Sequence, residues 1–423
     1  MGEGQRPCHA PPMSLFTRIT LPLAAINFIN QANRSLVAVI GPFLALEFGL
    51  TAAELGLLAA CFFASYAIAQ LPIGLALDLK GPRRVQATLA LIAATGFVIS
   101  ALSTDVLMLA AGRCVAGVGV AAGLMAMLKA NTQWYPKERV AAVTGAGLFF
   151  ASMGGLSATM PVQWALPFIG WRGVFAVLAM LAVMVSAWIW FSVPNAPPGV
   201  APAPRRSLRQ EIGEYGRIFK DPVFLRLVPT VGMLSTLNFT YQGLWAGPWL
   251  RDVGGLDDSA RAAALLIYAL GMMLGSLFTG QAASFAQARG FSPMLMPYVG
   301  VAGCLFAQAM LMLGPSNFWV MAFLWFFFSF SGSVGPAGYA AIAQGFPPAL
   351  AGRVSTAINF LMLCVVFVFQ TGIGAILDLW PRTATGGWAP EGYVWALGMT
   401  FAVQLAAALW IFLPWWQPRK EPA

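Results

Sequence analysis

The residues most able to do chemistry lie inside a stretch that should be inert. Ala24 to Pro42 reads AAINFINQANRSLVAVIGP, and Asn27, Asn30, Gln31, Asn33 and Arg34 interrupt an otherwise lipid-compatible run. A guanidinium near the middle of a bilayer is costly, so it faces a bundle interior or a wet cavity and is a functional hypothesis by default. Its planar fork of donors suits carboxylate or phosphate. The chemistry on offer is therefore recognition of an anion. The alternative is that backbone carbonyls satisfy Arg34 and it only holds helices together.

Composition places these residues in a membrane. The chain has 423 residues, 59% hydrophobic and 9% charged, with mean hydropathy +0.74. A soluble protein carries about 25% charge, so this is a polytopic membrane protein. The net charge of +9 does not point to nucleic acid, because the basic residues fall in short loops. Cys8, Cys61, Cys114, Cys304 and Cys364 show no paired spacing, and four of them fall in apolar runs, as reduced packing cysteines do. The one histidine, His9, leaves no His-ligated metal or Ser–His catalysis to expect. No cofactor is implied. The start of the chain lacks a cleavable signal pattern, so the first span is expected to act as its own insertion signal.

A spanning helix needs about 20 apolar residues. Twelve candidates appear: 17–46, 52–79, 84–103, 106–134, 139–167, 171–193, 223–251, 260–287, 292–313, 316–346, 351–380 and 391–416. They are numbered here as spans 1 to 12. Pro72, Pro161, Pro229 and Pro336 imply bends within them. Lys and Arg concentrate in the segments that share a side with the N-terminus, which puts both termini in the cytoplasm. Residues 194–222 begin PNAPPGVAPAP, an extended linker, and continue RRSLRQEIGEYGRIFK, an amphipathic helix for the cytoplasmic membrane surface or a solvated linker helix. The linker divides the chain into 1–193 and 223–423. WYPKERV at 134–140 resembles GFPPALAGRV at 345–354, at the same place in each half. Duplicated halves with a site between them are the layout of many secondary transporters.

Between spans 2 and 3 lies GLALDLKGPRRV, Gly74 to Val85, with the pattern G-x-x-x-D-x-x-G-x-R-R. Gly74 allows close helix approach, Asp78 can pair with an arginine or cap a helix, and Gly81-Pro82 turns the chain. Arg83 and Arg84 anchor the loop at the anionic leaflet. Such a latch would close the cytoplasmic side. This stretch resembles the signature loop of the major facilitator superfamily, with Leu79 replacing a frequent basic residue. The equivalent loop AQARGFSP at 286–293 keeps Arg289 and Gly290 but has Gln287 where an acid would be. In span 4, Arg113 to Gly119 resembles the family's R-x-x-x-G-x-G, and at 1.5 Å per residue Arg113 lies about 10 Å inside the span. Lys129 lies one turn from the cytoplasmic end, where it could snorkel out.

Within the superfamily the anion-carrying branches are the most similar. They place an arginine in span 1, followed by E-F-G-L and a Y-x-x-x-Q segment, here Arg34, Glu47 to Leu50, Tyr66 and Gln70. NFTYQGLWAGPWL, residues 238–250, resembles the polar, aromatic span 7 of organic-anion symporters. The resemblance implies an all-α membrane protein with twelve transmembrane helices in two pseudo-symmetric six-helix bundles. It implies an inner-membrane carrier of a small organic anion, working by alternating access. Its substrate ligands are expected among Arg34, Arg113, Tyr66, Asn30, Gln70, Asn238, Tyr241, Gln242, Trp245 and Asn359. Gating falls to Gly74, Asp78, Gly81, Arg83 and Arg84. No metal or nucleic acid is expected, and the carrier is expected to be monomeric.

One departure matters. Organic-anion symporters often have an acid before the span 1 arginine and another in span 4, where this chain has Asn33 and Val120. No acid lies deep in any expected span, so an embedded carboxylate relay is not visible. An unbalanced positive cavity favours an anion, because only cargo can neutralise it. Two rival readings stay open: an exporter of apolar or cationic compounds, and a membrane sensor that keeps a carrier's site without transporting.

Overall fold

A computed structural model describes residues 15–194, 208–347, 350–383 and 386–413. Every regular element among them is helical. Ten helices are long and apolar enough to cross a membrane. The other two spans are span 1, Leu21–Phe48, which carries the polar cluster, and span 5, Lys137–Ser157. The protein is thus an all-α membrane protein of twelve spans in two six-helix bundles.

The chain breaks where glycine and proline demand it. Ala52–Ala101 holds spans 2 and 3, separated at Gly81, whose φ of 76° is open to glycine without strain. Span 4 runs as Val106–Val120 and Gly123–Trp134. The stretch 139–167, expected as one span, ends at Ser157; Pro161 instead opens Met160–Ser192, which turns again at Gly170. Proline suits a first helical turn because it lacks a donor that would be unused there. Pro336 likewise opens Gly335–Ala343 after Phe318–Gly332 in span 10. Pro72 and Pro229 stay inside their helices. Span 7 runs Pro222–Thr240, widens into a π turn at Tyr241–Trp245, and resumes as Ala246–Asp252. The remaining spans are Asp258–Ala288, Leu295–Met312, Ala351–Leu377 and Pro390–Leu409.

Acids missing from span interiors reappear as caps. Asp105 accepts from the Met108 N–H, Asp257 from Ala260 and Asp221 from Val223 and Phe224. Each satisfies donors that a helix start leaves orphaned. Small residues let helices meet closely. A Cβ on Gly271 or Gly275 of span 8 would lie 2.5 or 2.6 Å from the Phe326 or Phe330 carbonyl oxygen. The linker helix Leu208–Ile218 rests on the second half, where Arg353 pairs with Glu214 and Ile218 packs with Phe224 and Val354.

The halves meet at the ends opposite the linker. Gly247 of span 7 seats against the Ala38 carbonyl of span 1, and Gly56 of span 2 against the Gln370 carbonyl of span 11. Arg261 donates to the Val39 carbonyl at 3.5 Å. On the linker side, a Cβ on Gly74 would meet nothing within 4 Å, so no helix uses its small size in this conformation.

Candidate functional site

Arg34 is 13 residues from the start of its helix and 14 from the end, or about 20 Å from either at 1.5 Å per residue. It sits at mid-depth, 7% exposed. Three aromatic rings surround its guanidinium: Phe63 at 5.9 Å and Tyr66 at 5.3 Å from span 2, and Phe239 at 4.3 Å from span 7 in the other half. Such cation–π contacts hold the charge only in part. Its Nη1 makes one 3.4 Å contact to Gln31 Oε1, and its Nε has no partner. Tyr66 and, across the halves, Tyr339 are its electrostatic neighbours. Among the described residues the ion pairs are Arg172–Glu47, Arg251–Asp252, Arg261–Asp258 and Arg353–Glu214, so none reaches Arg34 or Arg113.

The other expected ligands divide into two groups. Asn30, Gln70 and Gln242 are buried. The oxygens Asn30 Oδ1 and Gln70 Oε1 lack partners, as do both side-chain polar atoms of Asn33. Gln242 crosses toward the first half, since a Cβ on Gly155 would lie 3.4 Å from its Nε2 and 3.5 Å from Ser35 Oγ. Asn359 of span 11 is half-buried. Asn238, Tyr241 and Trp245 are instead tied into their own half. Asn238 donates to the Ser329 carbonyl at 3.1 Å and accepts from Tyr268 at 2.7 Å. The Tyr241 hydroxyl lies 2.8 Å from Thr400 Oγ1, and Trp245 donates to the Gln370 carbonyl at 3.2 Å.

Arg113 is 2% exposed and lies apart from Arg34. Its Nε donates to the Leu58 carbonyl of span 2 at 3.0 Å, and its Nη1 has no partner. Phe62 stands 5.5 Å from it and packs against Phe63 and Tyr66, so an aromatic layer separates the two guanidiniums. Lys129 donates to the Leu77 carbonyl at 2.9 Å.

Of the latch residues, Gly81 makes the break and Arg83 lies over the Trp190 ring at 5.2 Å. Arg84 follows it in the helix; the side chain of Asp78 lies outside the described residues. Phe63, Phe239 and Tyr339 were not among the expected ligands. Phe239 was within reach of sequence reasoning, being the aromatic inside the polar NFTYQ segment. Tyr339 gave no local signal, because only the fold brings span 10 opposite span 1.

Two six-helix bundles with polar side chains of both meeting at mid-depth have the build of a secondary transporter. The chain belongs to the Major Facilitator Superfamily, whose family model matches residues 23–371. Among curated relatives, it is 26% identical over 263 residues to a probable sulfoacetate transporter of Cupriavidus necator, covering 60% of each chain. It is 28% identical to a galacturonate transporter of Dickeya chrysanthemi, over 38% of this chain and 48% of that one. It is 30% identical to a probable L-galactonate transporter of Escherichia coli K12, over 44% and 40%. The matched regions span 60% or less of these relatives' lengths. The fold is similar to that of a bacterial homolog of the human lysosomal transporter Spinster, in an inward-facing and unoccupied conformation. That match has a TM-score of 0.74 and 18% identity, covering 95% of this chain and 97% of that one. A D-xylose–proton symporter gives 0.72 and 15%, covering 94% and 97%.

Proposed function

We propose that the protein is a secondary transporter that carries a small organic anion, a carboxylate or organophosphate, across the inner membrane by alternating access. The observation that carries this reading is Arg34: a mid-depth guanidinium with an unpartnered Nε and, among the described residues, no carboxylate paired with it. A buried unpaired charge is costly, and a ligand of opposite sign removes that cost. The same charge repels a cationic cargo. The names of the relatives, which refer to sulfoacetate, galacturonate and galactonate, support an anionic cargo.

In this reading the bundles 1–193 and 223–423 rock about the site, with both termini cytoplasmic and each monomer acting alone. Arg34 takes the anionic group through Nε and an adjacent Nη. Tyr66 adds a hydroxyl donor, and Asn30, Gln70 and Gln242 meet the body of the cargo. Phe239, which lies over Arg34, is displaced by the anion. Arg113 raises the positive potential beneath the aromatic layer. With Asn33 beside Arg34, cargo rather than a titrating acid neutralises the arginine, which favours exchange or uniport over proton symport.

The test is a thermal-shift screen of purified protein against carboxylates, organophosphates and amines. Binding of a ligand to the folded state alone raises its stability. Stabilisation by at least one anion is expected. Stabilisation by amines or neutral amphiphiles only would overturn the proposal in favour of an exporter of such compounds.

A further inference from the structure

On the face opposite the linker, the second half grips the turn between spans 1 and 2 by its backbone. The Ala52 and Ala53 N–H groups donate to the two carboxylate oxygens of Asp378, each at 2.8 Å. Asp378 stands at the C-terminal end of span 11. Span 2 does not need this carboxylate for a cap of its own. Thr51 Oγ1 accepts from the Glu54 N–H at 3.2 Å, and the Glu54 carboxylate accepts from the Thr51 N–H at 2.9 Å, a complete capping box. On the other side of the turn, span 1 ends at Gly49, and the Leu50 carbonyl accepts from Arg382 of the second half. An anion thus meets the positive start of one helix, and a cation meets a carbonyl just past the negative end of the other. Gly374, one turn before Asp378, lies so close that a Cβ there would sit 2.3 Å from the Ala52 carbonyl oxygen.

We propose that Asp378 and Arg382 form a charge latch that holds this face closed, by binding helix ends of the first half rather than a partner side chain. It is the counterpart, on the opposite face, of the role the sequence pattern gives to the loop 74–85. The inference rests on the alternating-access reading. When this face opens, the carboxylate must leave both N–H groups and the guanidinium must leave Leu50. Asp378 is exposed, so the attraction weakens with salt.

The test is a pair of spin labels on exposed residues of the same face, at Leu102 in the first half and Leu313 in the second. They are placed in full-length protein with its native cysteines replaced, and distances are read in lipid nanodiscs. Asp378→Asn is expected to raise the separated population roughly fivefold. Ala52→Pro, on the opposing helix, is expected to act in the same direction. It removes one of the two donors at a position where helices accept proline. Raising the salt is expected to enlarge the separated population in the parent protein, and to do so less in Asp378→Asn, where only the Arg382 contact is left to screen. Two populations in the parent that neither substitution nor salt alters would overturn the latch and leave alternation standing. A single population in every variant, here and at a second label pair on the linker face, would overturn both.

Discussion

Replacing Arg34 by Gln keeps a polar, hydrogen-bonding side chain, a shorter one, and removes its charge. A carboxylate about 4 Å from a guanidinium gains about 4 kcal/mol at an effective dielectric constant of 20. Hydrogen bonds to charged groups contribute about 1.5–3 kcal/mol net. Against this, the empty protein loses the Phe239 contact at 4.3 Å, a cation–π interaction of about 1 kcal/mol that bound anion would displace anyway. The Coulombic and hydrogen-bond figures describe the same contact and are not added, so about 4 less about 1 leaves a net loss of about 3 kcal/mol, and Arg34→Gln should weaken anion binding about a hundredfold. Arg34→Lys keeps the charge but not the fork and should lose about tenfold. The assay is calorimetric titration in detergent with the anion that stabilises the parent protein most, with monodispersity checked for each variant. Affinity of Arg34→Gln within about threefold of the parent would refute the assignment of Arg34 as the anion's main ligand.

Further substitutions separate the roles of the surrounding residues. Arg113→Gln should cost binding several-fold less than Arg34→Gln, since Phe62, Phe63 and Tyr66 stand between the two arginines; equal losses in the same titration would place both on the cargo. Asn33→Asp should introduce an internal counter-ion. A negative charge at the position next to Arg34 would compete with cargo, so anion affinity should fall. An affinity equal to the parent's would count against that. Gly247→Ala places a Cβ 1.9 Å from the Ala38 carbonyl oxygen across the halves, so spin-label distances on the face opposite the linker should lengthen. Asp78→Asn should slow the turnover of reconstituted protein more than it weakens binding; an unchanged rate would remove Asp78 from gating.

Much of this fold is legible because lipid leaves few options. A backbone in hydrocarbon must satisfy its own hydrogen bonds, so each long apolar run becomes a helix. Gly81 likewise marks its own break. Span 5 was less legible: hydropathy continues through Met160 to Ile169, while the backbone ends one helix at Ser157 and starts another around Pro161. The π turn at Tyr241–Trp245 also left no trace in composition. Its surroundings hold it, with Gln370 donating to the Thr240 carbonyl at 3.0 Å and accepting from Trp245. In the site, Arg34 stood out because a charge in an apolar run is rare. The division of span 7 into residues facing the other half, such as Phe239 and Gln242, and residues tied inward, such as Asn238 and Tyr241, did not. Polar side chains in one helix look alike until their neighbours are known, and those neighbours come from spans 1, 5, 8 and 12. The contact of Asp378 with span 2 joins residues 326 positions apart, beyond any local pattern.

The most direct measurement compares ligands of matched skeleton that differ in charge. Galacturonate and galactose share a ring and its hydroxyls, and only the first carries a carboxylate. Sulfoacetate and small organophosphates extend the anion set, and aryl amines supply the opposite sign. In a thermal-shift titration of the parent protein, stabilisation that follows the negative charge and vanishes for the uncharged and cationic partners is the expected result. Stabilisation by amines or by neutral compounds, with every anion silent, would contradict an anion site at Arg34.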